Sequence, residues 1–362
     1  MKKIVCTVTN DLVYDQRMIR ICDTLATAGY DVTLVGRKLN RSAPILDQNF
    51  KQYRCKNRFH TGPLFYLEHN IRLFLVLLRN RPEVVNTIDL DTGFAAYLYS
   101  KLTRFEWAVD FHEHFTEVPE VTNRKLVKSI WGFVEYLLFK NGDKFYAASQ
   151  SIAEIFQKKY KKKVEVIRNV PFLRSKNVVK PQSEFSESGF LIYQGALNEG
   201  RCIELYIKAM HHIDSQLVLV GEGDLSDSLR QLVQSEGLVN KVIFTGMLTP
   251  EELRHVTVKA YMGLNVLENK GLSYYYSLSN KCFDYVQAEI PSISSDFPEY
   301  RLLNEEFEVM LLAEPTLDSI VENIQELQSN KDLYRQLQNN CKSAFQHWNW
   351  EMEKTKLLAI YE

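Results

Sequence analysis

No two of the six cysteines (Cys6, Cys22, Cys55, Cys202, Cys282, Cys341) form a closely spaced pair. That scatter argues against a zinc site and against a disulfide framework, and fits a reducing cytosol. An excess of charge of one sign is also missing. The chain carries 44 Lys and Arg against 45 Asp and Glu, a formal net charge of -1, so no nucleic-acid partner is expected. The apolar run LFLVLL at 73–78 is far shorter than the ~20 residues a membrane span needs. The opening MKKIVCTVTND reaches Asn10 and Asp11 too soon for a secretory signal. Low-complexity segments and short repeats are absent. No G-x-G-x-x-G follows the first apolar run, which removes the dinucleotide fingerprint.

What remains is an ordinary globular composition, 45% apolar and 25% charged over 362 residues, a size that suggests two domains. Short β-rich runs alternate with amphipathic helical stretches. The runs at 3–8, 31–35, 84–86, 107–111, 144–147 and 164–167 read as strands in the first half. Those at 190–193, 216–220, 241–244, 262–266, 291–294 and 308–312 read as strands in the second. Alternating β and α units predict parallel sheets with helices on both faces. The expected fold class is therefore α/β, with two Rossmann-like, doubly wound domains. Between the halves, PFLRSKNVVKPQSEFSE (171–187) has two prolines and no periodicity, as a linker would. The expected division is 1–172, a linker at 173–187, 188–346, and a C-terminal helix at 347–362 that crosses back to the first domain. Trp348 and Trp350 are expected to pack across that hinge.

Ligands of such sheets sit outside the carboxyl ends of the strands. Asn10 and Asp11 follow the first predicted strand, and His112, Glu113 and His114 follow the fourth. In the second half Gly195 opens a loop that runs to Gly200 and Arg201, while Glu222 and Met247 follow later strands. Two such edges facing each other would make an interdomain cleft. Gly195 and Gly200 permit close backbone approach, although a plain turn explains either one alone. The stretch SYYYSLSNKCFDYVQ (273–287) carries the strongest chemistry. Ser279 reads as an N-cap, and Cys282, Phe283 and Val286 form an apolar stripe. The helix start at Asn280 suits an anion, Lys281 adds a charge, and Asp284 can accept from a pair of hydroxyls. Phosphate beside a diol describes a nucleotide. A capped surface helix is the plain alternative. Asp89 and Asp91 form a D-x-D, but two carboxylates do not define a metal site, and none is expected. FYLEHNIRLFLVLLRNR (65–81) and the basic QKKYKKK (157–163) fit peripheral contact with an anionic bilayer, or a core helix and a solvated lysine face.

In this order, DFHEHFTEVPE (110–120), YQGALNEGR (193–201), LVLVGEGDLSDSLRQLV (217–233), VIFTGMLTPEEL (242–253) and SLSNKCFDYVQAEIPSIS (277–294) resemble a family. NDLVYDQRM (10–18) resembles the opening of a bacterial subgroup of it. The chain is similar to GT-B-fold glycosyltransferases of the family 4 type, which are retaining and nucleotide-sugar dependent. The resemblance implies two Rossmann-like domains facing across a cleft, and a place in bacterial polysaccharide or glycan biosynthesis. It implies that Arg201 and Lys281 hold the diphosphate with N–H groups from Asn280 onward, beside Gly195 and Ser279. Asp284 would bind the ribose hydroxyls, Glu222 and Met247 would lie near the base, and His112 would face the donor sugar. Asn10, Asp11 and Glu113 would line the acceptor side. The implied partners are a nucleotide-sugar donor, a glycan or lipid-linked acceptor and the inner face of the membrane. No cofactor and no metal are implied, and the location is cytoplasmic. Two positions depart from the family. Tyr276 stands where the first of two paired acids belongs, and Ala196 replaces an arginine after the glycine, a loss that Lys281 would make good. A nucleotide-sugar epimerase of the same fold, or an idle partner subunit of a polysaccharide pathway, are the competing readings.

Overall fold

Apolar, β-branched and aromatic runs line up side by side in two sheets, and every neighbouring pair is parallel. A computed structural model describes all residues except Tyr14, Asn40, Arg41, Asn123 and 174–188. Most of the expected linker thus lies outside the described residues. The chain divides into two units. One holds Met1–Asn169, Gly271–Ser273 and Met352–Glu362, and the other holds Val170–Lys270 and Tyr274–Glu351.

In the first unit the strands are β1 (Lys3–Thr7), β2 (Asp31–Lys38), β3 (Lys51–Lys56), β4 (Val84–Ile88), β5 (Glu106–Phe111), β6 (Lys144–Ala147) and β7 (Glu165–Val166). Between them come α1 (Gln16–Thr27), α2 (Gly62–Asn80), α3 (Gly93–Ser100), the short α4 (Pro119–Thr122), α5 (Lys125–Asn141) and α6 (Gln150–Tyr160). The sheet order is β3-β2-β1-β4-β5-β6-β7. The chain winds one way from β1 to β3 and then returns the other way from β4 to β7. Right-handed crossovers therefore place α1 on one face and α2, α3, α5 and α6 on the other. Val5 of β1 pairs with Thr33 on one side and Val85 on the other. Strands covered on both faces read as continuous apolar runs, and β4 is buried at every residue.

The sequence pattern did not predict β3. KQYRCK is polar and exposed at three of its six residues, because an edge strand buries less and so lacks the apolar run that marks its neighbours.

In the second unit the strands are β8 (Phe190–Gln194), β9 (Gln216–Val220), β10 (Val242–Gly246), β11 (Met262–Asn265), β12 (Ser292–Ser295) and β13 (Met310–Ala313), in the order β10-β9-β8-β11-β12-β13. The helices after β8 are α7 (Ile203–Ala209), α8 (Ser226–Ser235), α9 (Pro250–Thr257), α10 (Leu272–Tyr275), α11 (Asn280–Gln287), α12 (Pro298–Glu306), α13 (Leu317–Ser329), α14 (Lys331–His347) and α15 (Trp350–Tyr361), of which α15 from Met352 onward and the first half of α10 belong to the first unit. Trp348 packs edge-on against Phe283 and Phe307, all within this unit. Near the end of α15, Tyr361 meets the Tyr146 hydroxyl at 3.2 Å, within the first unit. No helix among the described residues is long and apolar enough to cross a membrane.

Gly263 of β11 is needed for packing. A Cβ there would run into the ring of Tyr285 from α11, whose hydroxyl donates toward the carbonyls of Ile192 and Leu264 at 3.2 Å each. Overpacking of this kind costs about 1–3 kcal/mol. Gly263→Ala should therefore lower the unfolding free energy by that amount, seen as a lower urea midpoint at unchanged slope. An unaltered midpoint would show that Tyr285 moves aside freely.

Candidate active site

Three adjacent strand ends in the second unit carry glycine. Gly195 follows β8, Gly221 follows β9, and Gly246 closes β10, with φ of 130°, 130° and 71°. Gly195 N–H donates to the Val220 carbonyl at 2.9 Å, and Gly221 N–H to the Gly246 carbonyl at 2.9 Å. A Cβ at Gly221 would collide with the Gly195 carbonyl oxygen. These residues leave bare backbone at the carboxyl edge of the sheet, where a ligand is expected.

Lys281 reaches this edge from the first turn of α11. Its Nζ lies 4.0 Å from the centroid of the Tyr193 ring and 3.6 Å from where a Cβ on Gly195 would sit. The residue is 8% exposed. Among the described residues its ammonium has no hydrogen-bond or ion-pair partner. Burial, and then the nearby Arg201 charge, push its pKa well below the usual lysine value, with Asp284 pulling the other way. The Tyr193 hydroxyl donates to the Ala196 carbonyl at 2.8 Å, which fixes the ring beneath the cation. Arg201 lies in the turn before Cys202, the left-handed residue (φ 54°) that precedes α7. The helix thus starts later than the arginine. Its guanidinium stands 5.2 Å from the Tyr274 ring centroid.

Asp284, one turn further along α11, accepts from Gln194 Nε2 at 2.9 Å, and Gln194 Oε1 accepts from the Thr257 hydroxyl at 2.9 Å. Ser279 occupies the N-cap position, but its side chain makes no capping bond. Its own N–H goes to the Tyr300 hydroxyl at 3.2 Å, and its carbonyl accepts from Cys282 N–H. The expected side-chain cap is therefore absent, and Asn280 opens the helix exposed. Glu222 is half-exposed and accepts from Arg230 at 2.8 Å. Met247 is 72% exposed.

In the first unit, the strand-end loops gather Thr9, Asp89, Asp91 and His112. Asp110, buried at the end of β5, takes two bonds from Arg17, Nε to Oδ2 at 3.0 Å and Nη2 to Oδ1 at 2.8 Å. Arg17 also donates to the Ile167 carbonyl at 2.7 Å. The His112 Nε2 lies 3.0 Å from Asp110 Oδ2. Burial resists ionisation of Asp110, but Arg17 and His112 outweigh it and hold the carboxyl at about 2. Burial likewise disfavours a charged His112 ring, and Asp110 overcomes it, raising the ring to about 9. At neutral pH, then, His112 is a cation with Nε2–H committed to Asp110 and Nδ1–H left to donate.

Asp89 has a left-handed backbone (φ 48°). Its Oδ1 accepts from the His112 and Glu113 N–H groups at 2.8 and 3.4 Å. Burial pushes its carboxyl well up. Asp91 accepts from the Thr9 hydroxyl at 2.6 Å, and burial raises it to about 6. Both D-x-D carboxylates are thus engaged by neighbouring donors. Among the described residues no three His, Cys, Asp or Glu side chains meet as a metal set. Asp11 is turned inward, accepting from Arg54 at 2.5 Å and from the Ser42 hydroxyl. Asn10 and Glu113 are exposed, and Asn10 donates to Asp15 at 3.1 Å.

Sequence reasoning passed over Arg17, Asp110, Tyr193, Gln194 and Thr257 as site residues. A polar residue ending an apolar strand, as Gln194 and Asp110 do, was the available signal.

The His112 charge has a pH signature. A ring raised from 6.5 to about 9 contributes stability that is full below pH 6.5 and fades as pH rises through about 9. Asp110→Asn should lower the His112 titration seen by proton NMR and remove that alkaline loss. An unmoved titration would mean that Asp110 does not hold the ring charged.

The sequence profile described as Glycosyltransferase Family 4 matches residues 16–170, and the one described as Glycosyl transferases group 1 matches residues 175–344. No curated protein sequence is significantly similar. Among solved structures, sucrose-phosphate synthase from Thermosynechococcus elongatus is similar over 100% of this chain and 98% of its own, at 18% identity and a TM-score of 0.81. Anabaena HepE in complex with UDP-glucose is similar over 99% of each chain, at 12% identity and 0.79. The lipopolysaccharide outer core galactosyltransferase WaaB is similar over 100% of this chain and 99% of its own, at 14% and 0.70. Likeness at these identities speaks to fold, and the two profiles speak to family. The chain belongs to the GT-B-fold glycosyltransferases of the family 4 type.

Proposed function

We propose that the protein moves a hexose-type sugar from a nucleoside diphosphate to a glycan or lipid-linked acceptor, with retention of configuration and without a metal. One observation carries the donor half of this reading. Lys281 and Arg201 place two cations near each other at a glycine-bared sheet edge, and neither has a hydrogen-bonding acceptor among the described residues. A buried ammonium without a partner is costly, and a diphosphate would supply the missing charge. The N–H groups at the start of α11 add to the same field. Asp284, held by Gln194, is suited to ribose hydroxyls, and the exposed Met247 and Glu222 to the base.

In the reaction the bond from the anomeric carbon to the diphosphate oxygen breaks, and a bond to the acceptor oxygen forms on the same face. The acceptor proton passes to a diphosphate oxygen. Fixed cations stabilise the charge that develops on the leaving group, and removing one such donor costs on the order of 10²–10³ in rate. His112 contributes a cationic Nδ1–H donor, not a base.

HepE was solved with UDP-glucose, so UDP is the first ligand to try. At 100 times its dissociation constant it should stabilise the protein by ~2.7 kcal/mol. Lys281→Met should keep or raise the melting temperature of the free protein, since it removes a buried charge, and should abolish the response to UDP. A response unchanged in the variant, or no response to UDP, GDP or ADP in the wild type, would defeat the assignment. Transfer should persist in a chelator, whereas loss restored by magnesium would overturn the metal-free reading.

A further inference from the structure

Arg201 stacks against a ring that comes from another element. The residue before it, Gly200, has a left-handed backbone (φ 81°). A Cβ there would stand 3.1 Å from Cε1 and 3.7 Å from Cζ of Tyr274 in α10. The tyrosine ring therefore covers the α-carbon of Gly200, and the Arg201 guanidinium, one residue on, lies 5.2 Å from the ring centroid. Both partners of this contact are tied down. The Tyr274 carbonyl accepts from the Ser277 hydroxyl at 2.8 Å and from the Ser277 N–H at 3.2 Å. The Gly200 carbonyl accepts from the Glu268 N–H at 3.0 Å.

Each cation of the edge thus has its own tyrosine, Lys281 with Tyr193 and Arg201 with Tyr274. The two tyrosines differ at the hydroxyl. That of the buried Tyr193 donates to the Ala196 carbonyl. In the same unit Tyr206, Tyr261, Tyr285 and Tyr334 likewise donate to backbone carbonyls. Tyr274 is half-buried, and its hydroxyl has no hydrogen-bond partner among the described residues. Burial raises the pKa of the Tyr193 hydroxyl, Arg201 pulls it back, and Tyr274 adds to the rise, which sets the three side chains within electrostatic reach of one another. The carboxylates beside this loop are already engaged, since Lys270 pairs with Glu199 and, at 3.2 Å, with Glu268.

We propose that Tyr274 is a further donor-site residue, whose ring fixes the Arg201 guanidinium and whose hydroxyl donates to a phosphoryl oxygen of the nucleoside diphosphate. The inference rests on the donor reading above and adds a neutral donor to its two cations. An arginine stacked on a ring keeps its planar fork in place, so less freedom is lost when a phosphate arrives. A hydroxyl that donates to an ionised oxygen makes one of the stronger hydrogen bonds.

Isothermal titration with whichever of UDP, GDP and ADP stabilises the wild type separates the two roles. Tyr274→Phe keeps the ring and removes the hydroxyl, and should weaken binding roughly ten-fold. Tyr274→Leu removes both and should weaken it roughly thirty-fold. In an Arg201→Gln background, Tyr274→Leu should cost no more than Tyr274→Phe costs in the wild type, because no guanidinium remains for the ring to hold. The parent nucleoside, which lacks phosphate, should bind every variant alike, and circular dichroism should show the fold retained. Tyr274→Phe binding the diphosphate as tightly as the wild type would overturn the proposal and leave the donor site standing. So would a loss that the nucleoside shares, which would make Tyr274 a packing residue or a contact to the base. Binding of none of the three diphosphates by the wild type would defeat the donor reading and this inference with it.

Discussion

An all-parallel sheet must end all its strands at one edge, and the chemistry of this protein follows from that constraint. Each crossover returns the chain to the far edge, so every loop after a strand falls beside the others. In the first unit this brings together Thr9, Asp89, Asp91 and His112, from loops that follow three different strands. In the second it stacks Gly195, Gly221 and Gly246 and leaves backbone bare between them. The apolar strands need no functional residue of their own to make a site. They need only arrive in register, which burial on both faces enforces.

The two units handle buried charge in opposite ways. In the first, Arg17, Asp110 and His112 satisfy one another, with the guanidinium bidentate on the carboxylate. Breaking such a network by removing one member typically costs 3–5 kcal/mol, so the ring orientation of His112 is set by the core. In the second, Lys281 is buried against an aromatic face with no oxygen to accept from it among the described residues. The first arrangement stabilises the folded chain. The second carries a cost that an anionic ligand would offset, which is what the proposed donor site rests on.

The sheets were legible in the sequence because their strands are short apolar runs. The exception, β3, is an edge strand whose polar, half-exposed residues carry no such signal. The glycine loop, Lys281 and Asp284 were legible because loop and helix-start chemistry is local. The supports around them were not. Gln194 and Asp284 are 90 residues apart, and Arg17 and Asp110 are 93 apart, so only the folded topology joins them. Ser279 shows the opposite failure. Its residue type suits a cap, but its N–H and carbonyl are both engaged and its hydroxyl forms no cap.

Under the proposed function, one departure from the resembled family, Ala196, has a physical answer at Lys281. Ala196 stands where the resemblance implies an arginine in the loop after β8. Lys281 comes from another element, α11, yet its Nζ lies against Gly195, the residue before Ala196. Tyr193 makes this placement possible, because its hydroxyl is tied to the Ala196 carbonyl and its ring lies under the ammonium. Lys281 thus brings a cation from a helix to the start of the loop that carries Ala196. The first turn of α11 brings N–H groups with it, uncapped by Ser279, so the replacement cation arrives with further donors. On the same element, the bond from Gln194, itself held by Thr257, keeps the Asp284 carboxylate oriented.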